Sequence, residues 1–492
     1  MKFINVWMIA PLIFGLTLTS CNKDKSEKPD SATAVARFLW SEKLTPTTEA
    51  QIKVINQYGE AVKGAQILIG DAQGSPFKNN YITTDNMGLA AIPNEWQTPA
   101  SVTVDAKAYI RQTLLNVNPG NLTFKMSSAY LAQRAEVRGQ ITQLPIVNGD
   151  KLIDFALVMP VLSKSDFLNF DISQVVSPYT DTMSAGGQDS SVSSNISLPK
   201  QKENYIISIT LNKPIYRFKV PTLGPKKIVA ARGRFVFKTV AAELRNGKPF
   251  HDLINHFSIL GGSIRDVTLT GPITQLDIPG NELQFNNTLS VNSTAIQSDE
   301  LLLLLATNEI DGSMIPTDFK RAVSGKVTHL QSMSGKPSYI VSVVKKQGEF
   351  MSSAPGSDRM SASLLPHSTA TAQKLLPLIA NPSILKSNNY VIQLPALPAT
   401  AGVNALATSA SISDLIEVQD NNKKILVPIR KWEIVGIGWI PRLNLPKWPL
   451  DNSNTRKRVE VNYLGTTSNT NIKLNNSLFE NVTHLTHASA DF

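Results

Sequence analysis

The chain has almost no cysteine: Cys21 is the only one among 492 residues. A single thiol excludes a framework of internal disulfides, so each domain must be held by its own hydrophobic core. Histidine is scarce as well, with six residues. The two close pairs, His251/His256 and His484/His487, lack the helix, Glu or Cys partners of a zinc motif, so they read as surface side chains and no metal site is expected. No nucleophile elbow, phosphate loop or dinucleotide fingerprint is present. Ser383-Ile384-Leu385-Lys386 has Ser-x-x-Lys spacing, but Pro382 precedes it and no Lys-Thr/Ser-Gly follows. No catalytic residue and no cofactor is therefore expected. Beyond the first twenty residues no apolar run approaches the ~20 residues of a membrane span. The five leucines Leu301 to Leu305 are bounded by Glu300 and Asn308, and read as a strand buried on both faces. The net charge of +10 is modest for this length, and no nucleic-acid partner is expected.

What is present begins at the first residues. Lys2 forms a charged start, Phe3 to Leu16 an apolar stretch, and Leu18-Thr19-Ser20 leads into Cys21 and a charged stretch. That order is the anatomy of an export signal. It resembles the lipobox of bacterial lipoproteins. The resemblance implies that residues 1–20 are a signal peptide and that Cys21 is lipidated and becomes the first mature residue. Residues 21–34 then form the lipidated cysteine and a flexible polar tether. Two or more acyl chains, at about 0.8 kcal/mol per buried methylene, hold a protein firmly to the bilayer. Asn22, rather than Asp, follows the cysteine, and the resemblance then points to the outer membrane.

The rest of the chain has the punctuation of a mostly β protein: tandem antiparallel β-sandwich modules with minor helical insertions. In residues 35–128, Ile52 and Val54 alternate with polar neighbours, Ile67 and Ile69 share a face, and Asp85-Asn86-Met87-Gly88 makes a turn. The strings Val54 to Ala65, Thr84 to Gly88 and Val104 to Tyr109 are similar to the transthyretin-like carboxypeptidase regulatory domain, a pattern shared by bacterial Ig-like repeats. Ala108 stands where that family usually has Gly. The resemblance covers about a fifth of the chain and implies a fold, not an activity. A second β-rich domain is expected over residues 129–317, with a Ser/Gly/Asn-rich loop at 183–197 and a helical excursion at Val240 to Leu244 and Phe250 to Phe257. A third is expected over 318–450, with Lys374 to Ala380 as a candidate helix. Residues 451–492 read as a polar extension that pairs back onto a sheet. Val137 to Leu144 is echoed by Val323 to Leu330, which suggests duplicated modules. Trp432 and Trp439, at an odd offset, are placed on opposite faces of one strand.

The most uneven feature is charge. From Lys213 to Lys248 there are ten basic residues and one acidic residue, Glu243, a net charge of +9. Alternation puts Arg217 and Lys219 on one face of one strand, and Arg232, Arg234 and Lys238 on one face of the next. Phe218, Phe235 and Phe237 take the inner side. If the two strands pair across Pro221 to Lys227, five cations form one surface suited to anions. The expected function is a lipid-anchored envelope protein with a structural or binding role. Its partners would be the bilayer, through acylated Cys21, and peptidoglycan, lipopolysaccharide or another envelope protein. The alternative is a lipid-anchored hydrolase whose site is assembled from residues distant in sequence.

Overall fold

A computed structural model describes residues 51–492, leaving out 57–58, 71–81, 127–134, 144–151, 162–179, 186–187, 194–195, 198–205, 212–214, 221–223, 351–355, 368–372, 387–389, 421–422, 447–454, 469–477 and 479–480. Cys21, the tether and Trp448 lie outside the described residues. The protein is mostly β; among the described residues the helices are Phe237–Arg245 and Phe250–Leu253, with short 3-10 turns. These two helices fall where helical spacing is read in the sequence, separated by the Asn246 to Pro249 break.

One twelve-stranded sheet organises the molecule. Glu300–Ile310 and Ser313–Ala322 form one end, followed by Ser338–Lys346 and Met360–Pro366. The middle is His484–Asp491, Lys457–Thr466, Asn404–Asp420 and Lys423–Ile437. The other end is built from Arg111–Val117, Ala100–Asp105, Gln66–Ile69 and Ile82–Thr83. The join to this N-terminal part is a parallel pairing, with Trp432 to Val435 against Arg111 to Leu114.

The leucine run behaves as its pattern predicts. Leu301, Leu303 and Leu305 enter one hydrophobic cluster and Leu302 and Leu304 another, on opposite faces of the sheet. In the N-terminal part, a second sheet of Gln51–Asn56, Leu89–Ala91 and Leu122–Met126 covers the inner face. Ile52, Val54, Ile67, Ile69, Val104 and Phe124 fill the space between the two layers. That is a sandwich, and its edge strand continues into the rest of the protein.

Several expectations are corrected. The boundary near Asp318 falls inside the strand Ser313–Ala322, because Leu302 to Ile310 pairs with it antiparallel through a tight turn. Residues 451–492 do pair onto a sheet, but in its interior rather than as an added extension: His484–Asp491 pairs with both Met360 to Ser363 and Arg458 to Gly465. The segment 183–197 contains strands, with Thr180–Ala185 paired antiparallel to Gln188–Ser193. Lys374 to Ala380 has no regular secondary structure and is not helical; Pro377 has no N–H to give a helix and its ring clashes with the preceding turn.

The echo also dissolves. Gly139 lies inside the strand Ala135–Thr142, where the Leu276 backbone leaves no room for a Cβ. Gly325 instead makes a turn at φ +69° in open space. The two glycines serve different needs, close approach and a left-handed backbone. Trp432 and Trp439 meet in one cluster, because Gly438 at φ +75° turns the chain back.

Candidate functional site

The five expected cations do not form one surface. Ile215–Val220 pairs with Ala135–Thr142 in a four-stranded sheet, whereas Gly224–Phe235 pairs with Ile153–Pro160 and Phe257–Leu269 in a six-stranded one. The two strands therefore do not form the expected hairpin. By register, Arg217 lies opposite Arg138 and Lys219 opposite Glu136. Arg234 forms a two-pronged ion pair with buried Asp154, Nη2 donating to Oδ2 at 3.0 Å and Nε donating to Oδ1. That hydrogen bond raises the Arg234 pKa above its ordinary value. Arg232 is half-buried, and its Nε makes no hydrogen bond within the protein. Lys238 is exposed, but on the helix Phe237–Arg245 rather than on a strand. Phe235 is buried as expected, stacked near Phe155 and Phe257 at 6.3 and 4.9 Å; Phe237 is half-buried on the helix. Alternation holds at Arg232 to Phe235 but ends before Lys238, where the helix begins; the shared face also required a strand pairing that the chain does not make.

The densest group of charged side chains lies elsewhere, across the middle of the central sheet. Gln112, Glu433, Ser411, Glu460 and Ser489 are successive cross-strand neighbours in one row over five strands. Residues three apart in a regular strand point to opposite faces. A bulge between Ile412 and Ser413 shifts the register, so Arg430 and Glu433 share one face. Arg430 then bridges two carboxylates: Nη1 to Glu433 Oε1 at 3.0 Å and Nη2 to Glu460 Oε2 at 3.6 Å. Ser411 Oγ donates to Glu460 Oε2 at 3.2 Å. All three charged side chains are at most 7% exposed. Beside them Arg458 grips Asp491, with Nε to Oδ1 at 2.7 Å and Nη2 to Oδ2 at 3.2 Å.

At one end of this seam His487 and Ser489 meet Asp358. His487 Nε2 lies 2.9 Å from Asp358 Oδ2, its Nδ1 lies 2.8 Å from Asn462 Oδ1, and Ser489 Oγ donates to Asp358 Oδ1 at 2.6 Å. A hydrolytic triad needs the imidazole between the hydroxyl and the carboxylate. Here the carboxylate is in the middle, so this Ser/His/Asp group has the composition of a triad without its order. Its geometry ties the turn at 356–358 to the C-terminal strand. The seam as a whole holds fixed charges against each other and specifies which strands align.

A second buried polar patch lies on the opposite face, over another part of the same sheet. Ser342, Ser363 and His484 are cross-strand neighbours, and Ser361 sits two residues from Ser363 beside Thr486. All are fully buried. Ser342 Oγ, Ser361 Oγ and Ser363 Oγ make no hydrogen bond within the protein. Leaving a buried polar group unmet costs about 1–3 kcal/mol. His484 is neutral: burial lowers its pKa from 6.5 to about 4, helped by the Lys374 charge and opposed by the Lys374 backbone, which accepts from the ring. Both histidines of the expected surface pair are thus interior, because their strand is central. His251 and His256 lie beside carboxylates, 3.8 Å from Asp252 and 2.9 Å from Glu243. Among the described residues no group of three His, Cys, Asp or Glu side chains converges as a metal ion would require. No helix among them is long and apolar enough to cross a membrane.

No family model matches the chain, and no curated protein matches it. Among solved structures, the Bacillus anthracis TIE protein aligns at 11% identity over 60% of this chain and 44% of its own, with a TM-score of 0.14. The chain therefore spans less than half the length of that protein. A Corynebacterium diphtheriae protein described as membrane anchored aligns at 9% identity over 87% and 96% of the two chains, with a TM-score of 0.11. Lac15 from a marine microbial metagenome aligns at 10% identity over 69% and 97%, also at 0.11. At such scores none of these likenesses carries an argument about fold or role.

Proposed function

We propose that this protein is a lipid-anchored component of a bacterial outer membrane with a structural or binding role, held to the bilayer by acyl chains on Cys21. The observation that carries this reading is the order Lys2, Phe3 to Leu16, Leu18-Thr19-Ser20-Cys21. The fold is compatible with it: strands from both ends of the described chain interlock in one sheet, with no disulfide to hold them. A structural role is favoured over capture of anionic glycans, because Arg234 is committed to Asp154 and the other cations are divided between a helix and two sheets.

The test is metabolic labelling with an alkyne fatty acid, followed by fractionation. The wild type should incorporate label and stay with membranes through a high-salt wash, whereas Cys21→Ala should lose the label and be released. Retention of the unlabelled variant in the washed membranes would overturn the anchoring role.

A further inference from the structure

The second polar patch has a roof. Residues 373–380 run over it, with Leu375 and Leu378 packed on the cluster that contains Leu302 and Leu304. Leu304 is the cross-strand neighbour of Ser342, so the roof lies over the hydroxyl-bearing face. Thr486 Oγ1 fastens it by donating to the Pro377 carbonyl at 2.9 Å.

The groups beneath are donors. Thr483 Oγ1 accepts from the Thr467 N–H at 3.0 Å and lies 2.8 Å from His484 Nδ1. Three serine hydroxyls and the His484 ring are neighbours on one face of the sheet, and the three hydroxyls are without partners in the protein. Their neighbour Lys374 sits close enough to His484 to disfavour a second positive charge on the ring, and its Nζ donates to the Ala401 carbonyl at 3.2 Å. Neutral donors beside a cation, roofed from bulk water, suit a guest that brings several acceptor oxygens and negative charge.

We propose that Ser342, Ser361, Ser363 and His484, under the 373–380 strap, form a binding site for a small oxyanion, either a carboxylate or an inorganic oxyanion. The site is independent of the anchor. The strap is fastened mainly by leucine side chains rather than by a strand ladder, and lifting it is the route of entry.

The full-length protein is the material for the test, and thermal unfolding in acetate, phosphate and chloride at matched ionic strength is the readout. Acetate or phosphate should raise the unfolding midpoint of the wild type where chloride does not, and the oxyanion that acts tells a carboxylate site from an inorganic one. Ser342→Ala/Ser363→Ala should weaken that response about tenfold or more, since two hydrogen bonds to the anion are lost. In anion-free buffer the same variant should be at least as stable as the wild type, because it removes unpartnered hydroxyls. Should the double variant fail to fold, Ser363→Ala alone serves, with a smaller loss. Equal responses to all three salts, equal responses of wild type and variant, or a high-resolution crystal structure grown in the active salt that shows only water at the serines would each overturn the proposal.

Discussion

Two buried polar patches share the central sheet and are built on different rules. In the seam every charged side chain faces an opposite charge: Arg430 bridges Glu433 and Glu460, and Arg458 grips Asp491. In the roofed patch the side chains are neutral, and three serine hydroxyls have no partner. The difference follows from desolvation. A buried ion without a counter-ion is intolerable, so charges enter the interior only as pairs. A hydroxyl is inexpensive enough to bury without a protein partner, which leaves it available to something else.

The contrast can be broken most forcefully at Arg430. Arg430→Leu strands two buried carboxylates, and chemical denaturation should show a loss of about 3–5 kcal/mol. A loss below about 1 kcal/mol would mean that the seam is not an interdependent ionic unit. The roofed patch has a pH signature of the opposite sense to a salt bridge gained by a cation. The His484 pKa is depressed in the folded state, to about 4 from 6.5, so the unfolded chain binds the extra proton. Its contribution is fully present above about pH 6.5 and fades as pH falls toward 4, about 3 kcal/mol in all. The difference in stability between wild type and His484→Gln should change with pH by that order across this window; a constant difference would show that His484 is not buried neutral.

Smaller effects separate the expected cationic residues from one another. Arg234→Ser leaves Asp154 buried without its cation, and should cost about 1–3 kcal/mol in a denaturant titration. Lys238→Ser, on an exposed helical position, should stay within about 0.5 kcal/mol. Equal costs at the two positions would contradict the assignment of Arg234 to an internal ion pair.

Local pattern was legible wherever one residue type repeats on one face. The leucine run, the alternation of Ile52/Val54 and Ile67/Ile69, the turn at Asp85 to Gly88 and the helices flanking Asn246 to Pro249 all stand where the sequence places them. The polar sites were not legible. Ser342 and Ser363 sit on consecutive strands, but His484 comes from the last described strand, far along the chain. Arg430 and Glu433 are close in sequence, yet alternation assigns them to opposite faces until a bulge overrides it. Polar residues near the C-terminus read as an extension pairing back onto a sheet, because composition does not reveal that a strand will be inserted between two others.

The sequence by itself determined the strand class, since period-two alternation and turn residues act within a few positions. It also determined where helices interrupt, and that cores rather than disulfides must hold the fold. Only the tertiary structure decided which strands are neighbours. It set Ile215–Val220 and Gly224–Phe235 in different sheets, and made His484–Asp491 an interior strand. The reason is that backbone hydrogen bonds pair any two strands equally well. The choice among partners is made by side chains that meet only after the chain has closed on itself: Arg430 with Glu460, Asp358 with His487, and Trp432 Nε1 donating to Thr113 Oγ1 across 319 residues.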